Sequence, residues 1–240
     1  MPALLSVIIP VYNEVSTILE ILEAVNSVDI DKEIVVVNNG SSDGTTEKLR
    51  SIDYSKFKNI KVIQCSENRG KGAAFLTGLL NSSGEFVIIQ DADLEYNPQD
   101  YHALLDLARI NNAAVVYGSR FLSGKNKMSP LQYMANRFLT FITNMFFGTS
   151  LTDMETCYKM VKRDVLLGLG LQAKKFEMEP EITIKLIKKG LKINEVPISY
   201  QGRSYSGGKK IGWVDGCAAL FLIIKLKFSI PPIIKKRQVR

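Results

Sequence analysis

Short apolar runs with the composition of strands alternate with helix-like segments through the first half of the chain. The predicted strands cover residues 5–10, 33–38, 60–64, 85–90 and 114–118. Between them apolar residues recur at helical spacing, most clearly over residues 14–25, 70–80 and 99–111. Strands that alternate with helices of this length are typical of βαβ units and a mainly parallel sheet. The sequence therefore predicts an α/β fold whose ligands bind beyond the carboxyl ends of the strands.

The second half of the chain is less regular. Three helices and one strand are predicted there, over residues 131–147, 180–189, 213–228 and 192–200. A loop rich in glycine and lysine, residues 201–212, precedes the last helix. We expect one α/β domain over residues 1–212, followed by an apolar helix and basic tail over 213–240. Four phenylalanines of the first helix are expected in the core, with lipid contact as the alternative: Phe138, Phe141, Phe146 and Phe147.

Three acidic residues follow the fourth predicted strand at every second position. In an extended segment Asp91, Asp93 and Glu95 share one face, so their carboxylates converge at the strand end. Such a cluster is costly unless a cation neutralises it, and its oxygen ligands suit Mg²⁺ or Mn²⁺, which commonly bridge to substrate phosphates. A solvated acidic turn is the alternative, because a D-x-D pair alone is a weak signal.

Polar signatures follow the other strand ends as well. Residues 10–14 read Pro-Val-Tyr-Asn-Glu, and residues 38–45 read Asn-Asn-Gly-Ser-Ser-Asp-Gly-Thr. The third strand leads into a glycine-rich helix start with two cations, Arg69 and Lys71, which can hold a diphosphate. Each segment alone is also consistent with a turn or an ordinary helix cap. Four successive strand ends with such signatures are much more specific than any one of them.

Taken together, these motifs resemble those of the family 2 glycosyltransferases of the GT-A fold. The matching segments are residues 6–14, 35–45, 68–72 and 91–93. Three more resemble the polyprenyl-phosphate branch, which includes dolichol-phosphate mannosyltransferases and dolichyl-phosphate glucosyltransferases: residues 118–120, 153–159 and 202–210. The resemblance implies a nucleotide-sugar-binding fold with a mainly parallel central sheet flanked by helices.

The resemblance implies that seven residues bind the nucleotide sugar: Pro10, Tyr12, Glu14, Asn38, Asn39, Lys71 and Asp91. The first three are expected to line the nucleoside pocket. Asn38 and Asn39 stand where the family usually has two aspartates, one of which contacts the base or ribose. Asparagine can accept a hydrogen bond and also donate one, but the charge-assisted contact is lost. We therefore expect donor selection to be weakened or retuned, and aspartate at each position to strengthen nucleotide binding.

Catalytic and metal-binding roles are implied in the same way. Asp91, Asp93 and Glu95 match the metal-binding stretch of the family, where the ion neutralises the departing diphosphate. Asp93, Arg120 and Arg203 are the expected catalytic residues.

The nature of the acceptor decides which residues the second half must supply. A sugar hydroxyl benefits from a general base. Asp153 is the main candidate, although an orienting or structural role is the preferred interpretation. A lipid phosphate is already an anion and needs cations to place it. The candidates are Arg120, Arg137, Arg203, Lys209 and Lys210, and the resemblance assigns phosphate contacts to the first three. A solvated surface charge is the ordinary alternative for each.

The basic charge is concentrated at the C-terminal end. The chain has a net charge of +7, but residues 203–240 hold nine basic residues and one acid, which leaves the rest close to neutral. This distribution speaks against a nucleic-acid partner and favours an anionic membrane surface. The uncharged run 216–224 is too short for a bilayer span of about 20 residues, so a helix in the membrane interface is expected. Packing of this helix on the domain is the alternative.

Cysteine usage and the N-terminal residues indicate where in the cell the protein is expected. Cys65, Cys157 and Cys217 are scattered and form no C-x-x-C pair, as in a reducing compartment. The first residues lack the basic start and cleavage site of a signal peptide. We expect a cytoplasmic protein, peripheral on the cytoplasmic face of a membrane.

The implied reaction is an inverting, metal-dependent hexose transfer. The donor is expected to be GDP-mannose or UDP-glucose, and the acceptor a polyprenyl or dolichyl phosphate. Two alternatives stay open at this point. One is a glycosyltransferase with a saccharide hydroxyl acceptor, and the other an inactive nucleotide-sugar-binding module, for which Asn38 and Asn39 are the motive.

Overall fold

The computed structural model describes residues 3–124, 126–202 and 212–229. Three of the expected acceptor cations, Arg203, Lys209 and Lys210, lie outside the described residues, and so does the basic tail after residue 229.

The described residues form nine strands and eight α-helices. The strands are β1 (Leu5–Val11), β2 (Lys32–Asn39), β3 (Ile60–Cys65), β4 (Phe86–Ile89), β5 (Val115–Ser119), β6 (Asn126–Lys127), β7 (Lys159–Lys162), β8 (Asn194–Pro197) and β9 (Tyr200–Gln201). The helices are α1 (Ile18–Ser27), α2 (Thr45–Arg50), α3 (Lys71–Leu80), α4 (Tyr101–Ile110), α5 (Pro130–Phe147), α6 (Arg163–Leu167), α7 (Met178–Lys188) and α8 (Trp213–Phe228). Short 3₁₀ turns occupy Tyr54–Lys56 and Pro98–Asp100.

Seven strands make one sheet in the order β3-β2-β1-β4-β7-β5-β8. All neighbouring pairs are parallel except those of β7, which runs antiparallel to both β4 and β5. β6 and β9 pair separately as a short parallel ribbon. The α/β prediction, with a mainly parallel sheet flanked by helices, is confirmed.

Helices cover both faces of the sheet, which explains why its central strands read as continuous apolar runs. Successive residues of β1 point to opposite faces: Val7 packs with α1 and α4, and Ile8 packs with α3 and α7. Helix α3 lies especially close to β1, because a Cβ atom on Gly78 would stand 2.4 Å from Ile8 Cγ2. This close packing fixes the N-terminus of α3 over the carboxyl edge of the sheet.

A third apolar cluster joins α5, α7 and α8 around Leu139, Ile184 and Ile223. The last helix therefore packs on the domain through one side, as the alternative interpretation of residues 213–228 expected. The division at residue 212 stays a prediction. None of the helices in the described part of the chain has the length and apolarity needed to cross a bilayer.

The phenylalanines of α5 divide between two environments. Phe146 and Phe147 pack partly buried against the third cluster. The expectation of a core position is wrong for Phe138 and Phe141, which are 52% and 61% exposed. The reason is that α5 has apolar residues on two faces, and only one of them meets the domain.

Candidate active site

The carboxyl ends of β1, β2, β3 and β4 lie side by side, and hydrogen bonds tie their loops together. Pro10, Tyr12 and Glu14 are half-buried at the end of β1. The Glu14 backbone N–H donates to Thr45 Oγ1 at 3.0 Å, and the Asn13 N–H donates to the Ser41 hydroxyl at 3.0 Å. These bonds join the first loop to the second, so the expected nucleoside-binding residues lie on a fixed edge.

Asn38 and Asn39 end β2 and are almost completely buried. The Asn38 amide donates to Thr46 Oγ1 at 2.8 Å and to Gln64 Oε1 at 2.7 Å. The Asn39 amide donates to Asn68 Oδ1 at 2.9 Å and to the Gly70 carbonyl at 3.2 Å. Both side chains are therefore engaged in holding the loops, and their predicted nucleotide contact stays a prediction.

The third loop leads into the N-terminus of α3. Gly70 has a φ of +91°, and a Cβ atom there would stand 2.3 Å from the Lys174 carbonyl oxygen. Only glycine fits this conformation and this contact. The turn delivers Lys71, the first residue of α3, to the site, and the Ala73 N–H in the same first turn donates to the Lys174 carbonyl at 3.1 Å.

Lys71 is held by acidic partners. Its Nζ lies 2.6 Å from Asp91 Oδ1 and 3.8 Å from Glu179 Oε1. Burial lowers the pKa of Lys71, but the charges of Asp91 and Glu179 outweigh burial and raise this pKa well above its usual value. The structure thus brings together two of the predicted donor-site residues, Lys71 and Asp91, as an ion pair.

Cys157 contacts both members of the Lys71–Asp91 ion pair. Its thiol donates to Asp91 Oδ2 at 2.8 Å and accepts from Lys71 Nζ at 3.0 Å. Burial and the charge of Asp91 raise the pKa of the Cys157 thiol well above its usual value, so the thiol stays protonated as a donor. Glu179 is itself bound by Lys159 Nζ at 2.6 Å.

The acidic segment after β4 is a turn, which corrects the expected extended geometry. Leu94 has a φ of +63°, and the Glu95 backbone N–H donates to Asp93 Oδ1 at 3.1 Å. Glu95 accepts a hydrogen bond from the Tyr200 hydroxyl. In a turn the three carboxylates do not share one face. Accordingly, residues 3–124, 126–202 and 212–229 contain no group of three or more His, Cys, Asp or Glu side chains that could hold a metal ion.

Asp91 and Asp93 nevertheless have the donor chemistry that a divalent ion requires. Both offer hard carboxylate oxygens, and both side chains are partly exposed. Mg²⁺ is commonly held by one or two carboxylates and completed by substrate phosphates and water. The donor chemistry of the pair therefore suits Mg²⁺ or Mn²⁺.

Arg120 forms a buried ion pair with Asp153. Its Nε and Nη2 each donate to one carboxylate oxygen at 2.7 Å, and its side chain is only 4% exposed. Burial lowers the pKa of Arg120, but the Asp153 charge raises it well above its usual value. Glu195 holds the turn beneath this pair by accepting from the backbone N–H groups of Thr152 and Asp153.

The acceptor candidates in the described part of the chain differ in burial: Asp153 and Arg120 are buried as a pair, and Arg137 is exposed. Asp153 is completely buried and both of its oxygens accept from Arg120, which agrees with the preferred orienting role. Arg137 on α5 is exposed, donates to the Thr152 carbonyl at 3.3 Å and lies over the Phe121 ring. Arg137 is thus exposed to solvent, whereas Arg120 is enclosed with its counter-ion.

The contacts of three polar residues at the site were not predicted from the sequence: Cys157, Lys159 and Glu179. The first two lie in the segment 153–159, which the resemblance matched without giving them roles. Lys159 and Lys162 flank the two apolar residues of the short strand β7, so the sequence carries no clear signal that Lys159 is buried.

The chain matches the model of glycosyl transferase family 2 over residues 6–170. This match covers more than half of the chain. The chain belongs to glycosyl transferase family 2. The strand-end motifs described above all fall within the matched range, so the resemblance seen in the sequence is confirmed.

Curated relatives of this family 2 chain come from several organisms. A dolichyl-phosphate beta-glucosyltransferase of Saccharomyces cerevisiae is 32% identical over 221 residues, which cover 82% of this chain and 66% of that protein. One of Trichomonas vaginalis is 30% identical over 212 residues, covering 82% and 65%. A low-salt glycan biosynthesis hexosyltransferase of Haloferax volcanii is 29% identical over 206 residues, covering 83% and 48%. The chain thus spans less than two thirds of the length of each.

Solved structures of nucleotide-sugar enzymes share the fold. Glucosyl-3-phosphoglycerate synthase of Mycobacterium tuberculosis, in complex with Mn²⁺, UDP and glucosyl-3-phosphoglycerate, superposes with a TM-score of 0.70 at 19% identity, covering 93% of this chain and 80% of that one. TarS of S. aureus, in complex with UDP-GlcNAc, gives 0.63 at 19% identity, covering 94% and 66%. The GT-A fold predicted from the sequence is confirmed.

Proposed function

We propose that this chain transfers a hexose, with glucose preferred over mannose, from a nucleoside diphosphate sugar to a dolichyl or other polyprenyl phosphate. The observation that carries the proposal is the 32% identity, over 82% of the chain, to a dolichyl-phosphate beta-glucosyltransferase. A second relative carries the same name. These names favour UDP-glucose over GDP-mannose as the donor, and the UDP complexes of the structural neighbours point the same way.

Two features of the donor half support this reaction. Lys71, at the N-terminus of α3, offers a cation to a diphosphate. Asp91 and Asp93 would hold Mg²⁺ or Mn²⁺. When bound, such an ion neutralises the charge that develops on a departing nucleoside diphosphate. Mn²⁺ in the glucosyl-3-phosphoglycerate synthase complex is consistent with this assignment.

The acceptor side favours a substrate that is already an anion. Asp153, the base that a hydroxyl acceptor would require, is buried and bonded through both oxygens to Arg120. A lipid phosphate oxygen needs no base: it attacks the anomeric carbon, the bond to the diphosphate breaks, and the single displacement inverts that carbon. The exposed Arg137 is proposed to attract the phosphate, together with Arg203, Lys209 and Lys210.

The site is proposed to work at a membrane surface. α5 leaves Leu131, Met134, Phe138, Phe141 and Met145 exposed at spacings of three and four residues. α8 likewise exposes Val214, Phe221, Ile224 and Phe228. Two neighbouring helices with exposed apolar stripes are characteristic of a surface that contacts lipid. The enzyme would then meet its lipid phosphate at the cytoplasmic face of the bilayer.

Radiolabelled donors test the proposal directly. The purified chain is incubated with labelled UDP-glucose or GDP-mannose, Mn²⁺ and dolichyl phosphate, and the products are partitioned between organic solvent and water. Label from UDP-glucose in the organic phase supports the proposal. Label in an aqueous saccharide would favour a hydroxyl acceptor, and nucleotide binding without transfer would favour an inactive module.

A variant of Asp93 tests the assignment of Asp91 and Asp93 as metal ligands. We expect Asp93→Asn to lower transfer by at least about 100-fold, since a metal ligand and its electrostatic stabilisation are lost. The melting temperature should stay near that of the wild type, because the Asp93 side chain is only partly buried. Excess chelator should abolish wild-type transfer, and added Mn²⁺ or Mg²⁺ should restore it. Full activity of the variant, or of the wild type in chelator, contradicts the assignment.

A further inference from the structure

Both oxygens of Asp91 are already engaged by the protein. Lys71 Nζ lies 2.6 Å from Oδ1, and the Cys157 thiol lies 2.8 Å from Oδ2. The two ion-pair side chains are only 12% and 19% exposed. Lys71 is thus a cation placed directly against the carboxylate that is expected to receive a divalent ion.

Two lysines and two acids meet at this contact. Lys71 faces Asp91 and Glu179, and Glu179 is also bound by Lys159. A divalent ion at Asp91 would add two positive charges beside the Lys71 ammonium. Charges in a partly buried site are screened much less than in bulk water, so this repulsion opposes binding of the ion alone.

A bound nucleoside diphosphate would offset the repulsion between Lys71 and the divalent ion. Lys71 is the first residue of α3, and the N-terminal end of a helix dipole favours negative charge. A diphosphate bound there would bring negative charge to both Lys71 and the ion. The same lysine that repels the ion in the free protein would then help to hold the complex of ion and diphosphate.

We propose that Lys71 is an internal counter-cation that keeps the affinity of Asp91 and Asp93 for a divalent ion low until a nucleoside diphosphate binds. The inference rests on the proposed function, because it assumes the metal and nucleotide sites described there. It makes Lys71 a positioning residue with two effects of opposite sign. The lysine weakens binding of the metal alone and strengthens the coupling between metal and nucleotide.

Mn²⁺ binding measures both effects without any turnover. Free Mn²⁺ is followed by electron paramagnetic resonance during titration of the full chain, with and without saturating UDP, after correction for Mn²⁺–UDP complexes in solution. For the wild type we expect UDP to tighten Mn²⁺ binding on the order of tenfold or more, as for typical coupled sites. By linkage, Mn²⁺ must tighten UDP binding by the same factor.

Three variants isolate the charge of Lys71. Lys71→Gln should bind Mn²⁺ alone on the order of tenfold more tightly than the wild type and lose most of the coupling to UDP. Lys71→Arg keeps the charge and should retain weak binding of the metal alone. Lys175→Gln removes an exposed lysine from the loop that faces Gly70 and should leave Mn²⁺ binding unchanged. Thermal melting checks that each variant is folded.

The outcomes separate this inference from the proposed function. Tighter binding of Mn²⁺ alone in Lys71→Gln, with both other variants like the wild type, supports the inference. Equal Mn²⁺ affinity of the wild type with and without UDP overturns it, whatever the variants do, and leaves a metal-dependent transferase intact. Equal affinity of Lys71→Gln and the wild type for Mn²⁺ alone also overturns it. Absence of any Mn²⁺ binding, with or without UDP, overturns the metal-dependent function as well.

Discussion

Asn39 uses its carboxamide to tie two loops of the candidate site together. Its N–H groups donate to Asn68 Oδ1 and the Gly70 carbonyl, and its Oδ1 accepts from the Arg69 backbone N–H. We expect Asn39→Asp to destabilise the fold by about 1–3 kcal/mol, since a buried carboxylate would face a carbonyl oxygen with no donor between them. Urea unfolding measures this loss, and UDP titration should show no gain in affinity.

Asn38→Asp is the matched control for that variant. Its partners, Gln64 and Thr46, can each reorient to donate a hydrogen bond, so a carboxylate there should cost less stability. Tighter UDP binding by Asn39→Asp at unchanged stability would contradict the loop-holding role and would support the nucleotide contact expected from the sequence.

Glu155 makes stability depend on pH. Its Oε1 has no hydrogen-bond partner in the described part of the chain, and burial raises the pKa of Glu155 from 4.5 to about 7. Between these values the folded state keeps a proton that the unfolded state has released, so this residue makes stability fall as the pH rises from about 4.5 to about 7. The penalty is then constant at higher pH.

Glu155→Gln should remove this contribution. We expect the variant to melt like the wild type near pH 4.5 and a few degrees higher near pH 8, because about 1 kcal/mol shifts the melting temperature by roughly 2–4 °C in a domain of this size. Melting curves at several pH values check this. A difference between the two proteins that is the same at all pH values would disprove the titration of Glu155.

Some residues of the candidate site could be predicted from the sequence, and their partners could not. Lys71, Asp91 and Asp93 were predicted because motifs at successive ends of parallel strands must lie at one edge of the sheet. The contact of Cys157 with Asp91 joins residues 66 positions apart. It depends on the antiparallel strand β7, which follows Cys157 and was not predicted. Local spacing contains no information about such a contact.

At the scale of elements, the strands with strong apolar patterns were predicted within one or two residues, and the weakly patterned ones were not. β7 has four residues, two of them lysines, and it is inserted between β4 and β5 with Lys159 buried against Glu179. The predicted strand 192–200 is divided into β8 and β9, which belong to different sheets. Tertiary pairing decides both cases, and single-sequence patterns do not encode it.

β8 supports the acceptor side of the site through one carboxylate. Glu195 accepts hydrogen bonds from the Thr152 N–H, the Thr152 hydroxyl and the Asp153 N–H, and this turn presents Asp153 to Arg120. We expect Glu195→Ala to lower the free energy of unfolding by about 1.5–3 kcal/mol, as for hydrogen bonds to a charged group. Transfer to the lipid phosphate should fall while UDP affinity stays unchanged, because the donor loops lie elsewhere.

Glu85→Ala, which removes a more exposed carboxylate just before β4, is the control for Glu195→Ala. Glu85 pairs with Lys162 at 3.3 Å, but both side chains are more than one third exposed. The loss of stability should therefore stay below about 1 kcal/mol. Urea unfolding of both variants decides the point: equal losses would mean that Glu195 does not hold the turn.

At the scale of the whole molecule, α5 and α8 together form an exposed apolar surface. One side of each helix closes the third cluster, where Leu139 meets Ile223, and another side remains exposed at Phe141 and Phe221. Lys225 and Lys227 lie in the last turn of α8, and the sequence continues with Lys235, Lys236, Arg237 and Arg240. Apolar side chains with flanking lysines and few acids are the combination that anionic lipid attracts.

Liposome co-sedimentation tests this attachment. We expect the chain to bind vesicles that contain anionic lipid and to be released by salt, because the Debye length falls from about 10 Å at 0.1 M to about 3 Å at 1 M. Removal of the residues after Phe228 deletes four cations, each worth about 1 kcal/mol near an anionic surface, and should weaken binding strongly. The double variant Phe138→Ser, Phe141→Ser removes exposed apolar area without changing the charge, so it should weaken binding at every salt concentration while leaving the fold stable. Equal sedimentation of the wild type and both variants, or no binding at low salt, would show that these helices do not contact the membrane.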